Sequence, residues 1–151
     1  MYNPTKPYKK EILRTIETTW HSPYVSVTAG LYPTFRKHFS FPEVQHTDGI
    51  GTKGNYHWSA RTFRAAVIDA LAMNLNDLAM VRATPYALQN HLVLPKDDTR
   101  AIRAVITTLA DICRRKKIAR GCGTVGCARR QYDYYGSQNR CGACTCECSF
   151  V

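Results

Sequence analysis

Long apolar runs are missing from this sequence: none approaches the ~20 residues that a membrane-spanning helix requires. The amino end, Met1 to Lys10 with Pro4 and Pro7, also lacks the apolar stretch of a secretory signal, so the expected address is cytoplasmic. Acidic residues are scarce, 11 against 21 Lys and Arg, which leaves a formal net charge of +10. Such a balance suits nucleic acid, an anionic membrane surface or a phosphorylated small molecule. The basic clusters, Lys9-Lys10 and Arg114-Arg115-Lys116-Lys117, fall at helix ends and read as solvated faces. Charge alone decides nothing among these; the expected partner is a phosphorylated small-molecule substrate, with no membrane and no nucleic acid. Cysteine is nearly absent from the body, where only Cys113 occurs, whereas Cys122, Cys127, Cys141, Cys144, Cys146 and Cys148 crowd the last thirty residues. Internal repeats and the G-x-x-x-x-G-K spacing of a Walker A loop are absent too.

What is present suits one domain: 151 residues, 44% of them hydrophobic, are enough for a real core. Ile12, Leu13, Ile16 and Trp20 share one face of a helix predicted from Lys9 to Trp20. Residues 22–42, with Pro23, Gly30, Pro33 and Pro42, read as an irregular connector. A short strand is predicted over Glu43–Asp48, running into the turn Asp48-Gly49-Ile50-Gly51-Thr52-Lys53-Gly54. A helix should begin near Ser59 as N-cap, with Trp58 as a hydrophobic staple, and end at Arg82–Pro85. Its apolar residues, among them Phe63, Val67, Leu71, Met73 and Leu78, cover most of its circumference and predict burial on all sides. Leu88–Leu94 follows as a strand. Asp97, Asp98 and Thr99 then cap a helix whose stripe is Ile102, Val105, Ile106, Leu109, Ile112 and Cys113. This order of strands and helices predicts an α/β or α+β domain.

Two groups of residues could carry chemistry. In the turn, Gly49 and Gly51 allow close backbone approach and turn successive N–H groups into one concavity. Lys53 adds a compact positive charge for phosphate, and Asp48 could hold a metal ion bridging phosphate oxygens. The bland reading is an ordinary turn. The second group is Asp69, Asn74, Asn76 and Asp77 within the apolar helix. A carboxylate buried there needs a partner, and Asp77 near the carboxyl end opposes the helix dipole. A bound cation would answer both needs; capping, or pairing with Arg61, Arg64 or Arg82, would answer them equally.

The runs His46-Thr47-Asp48-Gly49-Ile50-Gly51-Thr52-Lys53 and Val67-Ile68-Asp69-Ala70-Leu71-Ala72-Met73-Asn74-Leu75-Asn76-Asp77-Leu78 resemble the signature loop and following helix of the aminoimidazole ribonucleotide (AIR) synthase family. The resemblance covers roughly residues 10–119. It implies an α+β AIR-synthase-like amino-terminal domain, a mixed sheet with packed helices, without the second α/β domain of such enzymes. It further implies an ATP-dependent, Mg-dependent cyclo-ligase that closes formylglycinamidine ribonucleotide to aminoimidazole ribonucleotide in purine biosynthesis, as a homodimer when intact. By the same resemblance Asp48 and Asp77 bind Mg²⁺, and Gly49, Gly51, Thr52 and Lys53 line the phosphate path, with Asn76 in support. Asp48 and Lys53 are the expected catalytic pair. Other members are thiamine-monophosphate-kinase-like or selenophosphate-synthetase-like enzymes, which keeps those reactions as alternatives.

After Ala119 amphipathic periodicity stops, and the Gly-Gly-Glu-Thr-type segment of the family does not follow. Residues 1–119 are therefore expected to form a truncated domain that is inactive alone, and residues 120–151 a Cys/Arg/Gly-rich tail, out of frame or disordered. A one-base shift of the codons for Gln131–Tyr135 permits Asn-Thr-Ile-Ile-Thr, a plausible strand. The competing non-enzyme reading is a basic protein that binds metal or nucleic acid through Cys141-x-x-Cys144-x-Cys146-x-Cys148.

Overall fold

Local signals agree most fully in the segment that begins at Asp98, and the structure follows them. In the computed structural model, which describes residues 8–29, 33–121, 124–127 and 144–150, Asp98 is the N-cap of a helix over Thr99–Lys116. Its side chain accepts from the Ala101 N–H at 2.9 Å, satisfying a donor that no helical carbonyl can reach. Ala101, Ile102, Val105, Ile106, Leu109 and Cys113 form its buried stripe. Lys117 closes it in the left-handed conformation, φ 58°.

In chain order the elements are α1 (Lys9–Glu17), β1 (Val25–Thr28), β2 (Thr34–Lys37), β3 (Val44–Gly49), α2 (Lys53–Ala60), α3 (Phe63–Met80), β4 (Pro85–Leu94), α4 (Thr99–Lys116), β5 (Ala119–Arg120), β6 (Thr124–Cys127) and β7 (Cys144–Phe150). The main sheet runs β3-β7-β4-β5, with β6 also on β4. β7 is antiparallel to both β3 and β4, whereas β5 and β6 are parallel to β4. The sheet is mixed, helices pack against it, and the fold class is α+β. Along β4 the even positions Leu88, Asn90, Leu92 and Leu94 are buried. The three leucines pack with Val67, Leu71 and Leu78 of α3 and with the α4 stripe in one core.

Several expectations are corrected. Residues 22–42 are not wholly irregular: β1 and β2 pair as an antiparallel hairpin, Val25 opposite Lys37. Val27 and Phe35 of this hairpin pack with Tyr86, Ala87 and Ala119, partners so distant in sequence that no local pattern reveals them. The single helix expected from Ser59 is two helices. Ser59 lies inside α2, and Arg61 at φ 57° breaks the chain before α3. Trp58 meets Phe63 edge-on at 6.1 Å, and the Arg61 guanidinium stands 4.9 Å and 4.7 Å from the two ring centroids. Arg61 also pairs with Asp98, joining the α2–α3 corner to the start of α4. α3 is not covered on all sides among the described residues, since Ile68 and Met73 are 47% and 41% exposed. Leu13 of α1 is likewise 41% exposed, because only Ile16 of that helix is fully buried. α1 stops at Glu17, and Trp20 beyond it donates its indole N–H to the Arg120 carbonyl.

The tail contributes β6 and β7 to the sheet. Cys122 and Cys141 lie outside the described residues, as does most of the segment expected to be out of frame or disordered.

Candidate functional site

The site grows from the end of β3. Ile50, 5% exposed, anchors the turn in the main core, so the flanking Asp48-Gly49 and Gly51-Thr52 are held at the surface edge of a buried residue. Gly51 takes φ +60°, a conformation that costs a side-chain-bearing residue about 1–2 kcal/mol. That reversal sends the chain into α2, with Thr52 as N-cap and Lys53 as its first residue. No acidic residue occupies the first turn of α2, so nothing there offsets the positive end of its dipole.

Asn74 of α3 locks this strand end to the helix. Its Oδ1 accepts from the Asp48 N–H at 3.0 Å, and its Nδ2 donates to the Asp48 carbonyl at 3.1 Å and the Ala70 carbonyl at 2.9 Å. Asn74 is fully buried, and these bonds are what make its burial tolerable. His46, two residues before Asp48 on the same strand, places Nδ1 3.1 Å from Asn74 Oδ1 and Nε2 3.0 Å from Asp77 Oδ2. Both ring nitrogens thus face oxygens, one of Asn74 and one of Asp77. Asp48 Oδ1 accepts from the Gly49 N–H at 2.7 Å.

A second group stands at the start of α2. The Lys53 ammonium is 3.7 Å from Asp69 Oδ2, which also meets His57 Nε2 at 3.2 Å. His57 is 7% exposed, and its Nδ1 lies 2.7 Å from the Thr62 hydroxyl. The hydrogen bond from His57 holds the Asp69 carboxyl below its ordinary range; burial opposes the shift, and the Lys53 charge adds to it. Beside His57 is a cavity of about 30 Å³ lined by Ile50, Trp58, Phe63, Val67 and Leu92, room for little more than a water molecule.

The structure therefore gathers Asp48, Gly49 and Asp77 around Asn74 and His46, and puts Gly51, Thr52 and Lys53 on the adjoining turn and helix start. Lys53 turns to Asp69. Asn76 is an exposed residue of α3, and the tie to the turn is made by Asn74. The sequence marks Asn74 and Asp69 only as polar residues in an apolar helix, and it gives His46 and His57 no role. His46 carries one local signal, the i, i+2 spacing that puts it on the strand face of Asp48. His57 carries none, because its partners come from the following helix.

A divalent metal can be tested against this donor set. Among the described residues no three His, Cys, Asp or Glu side chains cluster closely enough to form a cage. Two carboxylates, completed by phosphate oxygens and water, are the usual protein share of a Mg²⁺ site, and Asp48 and Asp77 supply donors of that type. Cys113 is fully buried in the core, and desolvation pushes its thiol up to about 12 against the opposing charge of Arg120. It takes no part. No helix among the described residues is long and apolar enough to cross a membrane.

The fold and site define a class: an α+β domain that delivers a glycine turn and a carboxylate from a strand end to a helix start, with a second carboxylate on the following helix. Residues 40–135 match the family model for AIR synthase related protein, N-terminal domain, and the chain belongs to that family. It is 32% identical over 99 residues to the phosphoribosylformylglycinamidine cyclo-ligase of Saccharolobus solfataricus, covering 66% of this chain and 30% of that protein. With the same-named protein of Thermococcus kodakarensis the identity is 37% over 73 residues, covering 48% of this chain and 22% of the relative. The chain thus spans less than a third of the length of these relatives. Among solved structures, a thiamine-monophosphate kinase from Stenotrophomonas maltophilia shares the fold with TM-score 0.69 at 16% identity, over 99% of this chain and 43% of the kinase. The hydrogenase maturation protein HypE in complex with ATP shares it with TM-score 0.58 at 14% identity, over 98% of this chain and 41% of that one.

Proposed function

We propose that the chain is the ATP- and Mg-using amino-terminal part of an AIR-synthase-like cyclo-ligase, the enzyme that closes formylglycinamidine ribonucleotide to aminoimidazole ribonucleotide. The observation that carries the reading is the Asn74 lock, which ties the Asp48 backbone to α3 at 3.0 and 3.1 Å while His46 links the same asparagine to Asp77. The backbone that carries Asp48 is linked directly to this buried asparagine, and the Asp77 side chain is linked to it through His46. The family model and the names of the cyclo-ligase relatives support the choice of reaction.

Asp48 and Asp77 are the residues to hold Mg²⁺, and the exposed side chain of Asp77 leaves it free to exchange His46 for the ion. Bound Mg²⁺ supplies charge neutralisation for the phosphoryl group of ATP. Gly51 and Thr52 offer backbone N–H groups to phosphate oxygens, Gly49 lines the same path with its own N–H held by Asp48 Oδ1, and Lys53 adds a positive charge at the amino end of α2. In phosphoryl transfer such positioning and neutralisation are nearly all the protein needs to contribute. The chain is expected to pair as a homodimer with the remainder of the enzyme present, and to be inactive alone. The kinase alternative uses the same residues and differs only in the acceptor; the likeness to the kinase fold keeps it in view.

The two are separated by thermal melts in Mg²⁺ and a non-hydrolysable ATP analogue. Formylglycinamidine ribonucleotide should raise the Tm further and thiamine monophosphate should not. The reverse result would replace the cyclo-ligase with a kinase, and no shift with any ligand, nucleotide included, would remove both.

A further inference from the structure

The turn explains why a lysine stands at the start of α2, but not why a histidine is buried one helical turn further on. Lys53 is a long side chain, 60% exposed, and left to itself it would sample many rotamers. It instead lies 3.7 Å from Asp69 Oδ2. Asp69, on α3, is 36% exposed and could also swing, but the same oxygen is held at 3.2 Å by His57 Nε2. His57 is only 7% exposed, and the Thr62 hydroxyl occupies its other nitrogen at 2.7 Å. An ionised carboxylate only accepts, so Nε2 carries the hydrogen; in the neutral ring Nδ1 then accepts from the Thr62 hydroxyl. The chain of contacts runs from the most rigid member to the most mobile, and it ends on the cation beside the phosphate-facing turn.

We propose that His57 is a positioning residue for Lys53, acting through Asp69: the imidazole fixes the carboxylate, and the carboxylate holds the ammonium ready at the start of α2. This rests on the reading that Lys53 meets a phosphate. The depressed Asp69 carboxyl agrees with it, since its largest cause is the hydrogen bond from His57. A purely structural His57, pinning α2 to α3 through Thr62, would affect folding and every ligand contact alike, whereas a positioning His57 affects ligand binding only while Lys53 is there.

The test is a double-mutant cycle on Mg-ATP affinity of the full chain, read by calorimetry with the Tm of each variant alongside. His57→Ala should weaken binding about tenfold, and should add almost nothing in a Lys53→Met background. His57→Gln, whose amide can reach Asp69 from the position of Nε2, should recover most of the loss. Asp69→Asn repeats the cycle if His57→Ala does not fold. Equal effects of His57→Ala with and without Lys53, at unchanged fold, would overturn the proposal. Carbon-detected titration of the Asp69 carboxyl supplies a readout without ligand. Its midpoint should rise in both His57→Ala and Lys53→Met, more in the former, because the imidazole bond is the larger cause. It should rise less in His57→Gln, where the introduced amide still donates. A midpoint unmoved by Lys53→Met and by His57→Ala would overturn the proposal as well. If the wild-type chain binds no Mg-ATP, the functional reading fails by itself and the titration still decides the coupling.

Discussion

Asp98 shows how much one side chain can do when its bonds are local. It accepts from the third N–H of α4, and it pairs with Arg61, whose guanidinium lies against the rings of both Trp58 and Phe63. Asp98→Ala should cost about 1 kcal/mol in urea unfolding at neutral pH, the usual worth of a cap. The Ala101 N–H, and after it Arg61, hold this carboxyl below its ordinary range. A depressed acid stabilises the fold above its unfolded value and loses that contribution as the pH falls through the folded value. The difference between wild type and Asp98→Ala should therefore shrink in acid and vanish once Asp98 is protonated; a difference independent of pH would mean that the cap is not ionic. Asp98 was legible in the sequence because its partner lies three residues away. Asn74 was not, because its two bonds to Asp48 span 26 positions and its residue type also suits a helix end or an exposed face.

Among elements, the helices were easier to read than the strands and turns. α4 declared its cap, stripe and basic end together, and α1 its apolar spacing. The break between α2 and α3 was hidden, since it falls at Arg61 in a left-handed conformation where sequence alone would look for glycine or asparagine. The β1–β2 hairpin was hidden because its two strands have four residues each and derive their stability from Tyr86, Ala87 and Ala119. The turn after β3 was visible by its glycines, and Gly51 gives a clean test of it. A Cβ added there meets nothing within 4 Å, so Gly51→Ala should act through backbone strain alone. We expect a loss of about 1–2 kcal/mol in unfolding free energy with no change in core packing. A neutral result would show that the turn does not need its left-handed residue.

At the scale of the whole molecule, the family fold, a mixed sheet under α3 and α4, was visible in the order of elements and in two runs of sequence. Residues Cys144–Phe150, which join that sheet, were not predicted as a strand, although Cys144, Cys146, Cys148 and Phe150 alternate with Thr145, Glu147 and Ser149 as strand residues do. The central claim is the proposal that Asp48, whose backbone Asn74 holds, and Asp77, which pairs with His46, bind Mg²⁺ together. The most direct measurement is calorimetric titration of ATP into the full chain, with Mg²⁺ and then with chelator, on wild type, Asp48→Asn and Asp77→Asn. The account expects binding that requires Mg²⁺ and is lost in both variants while their circular dichroism stays native. A folded chain that binds ATP equally well in chelator, or in which either variant binds as wild type does, would contradict it.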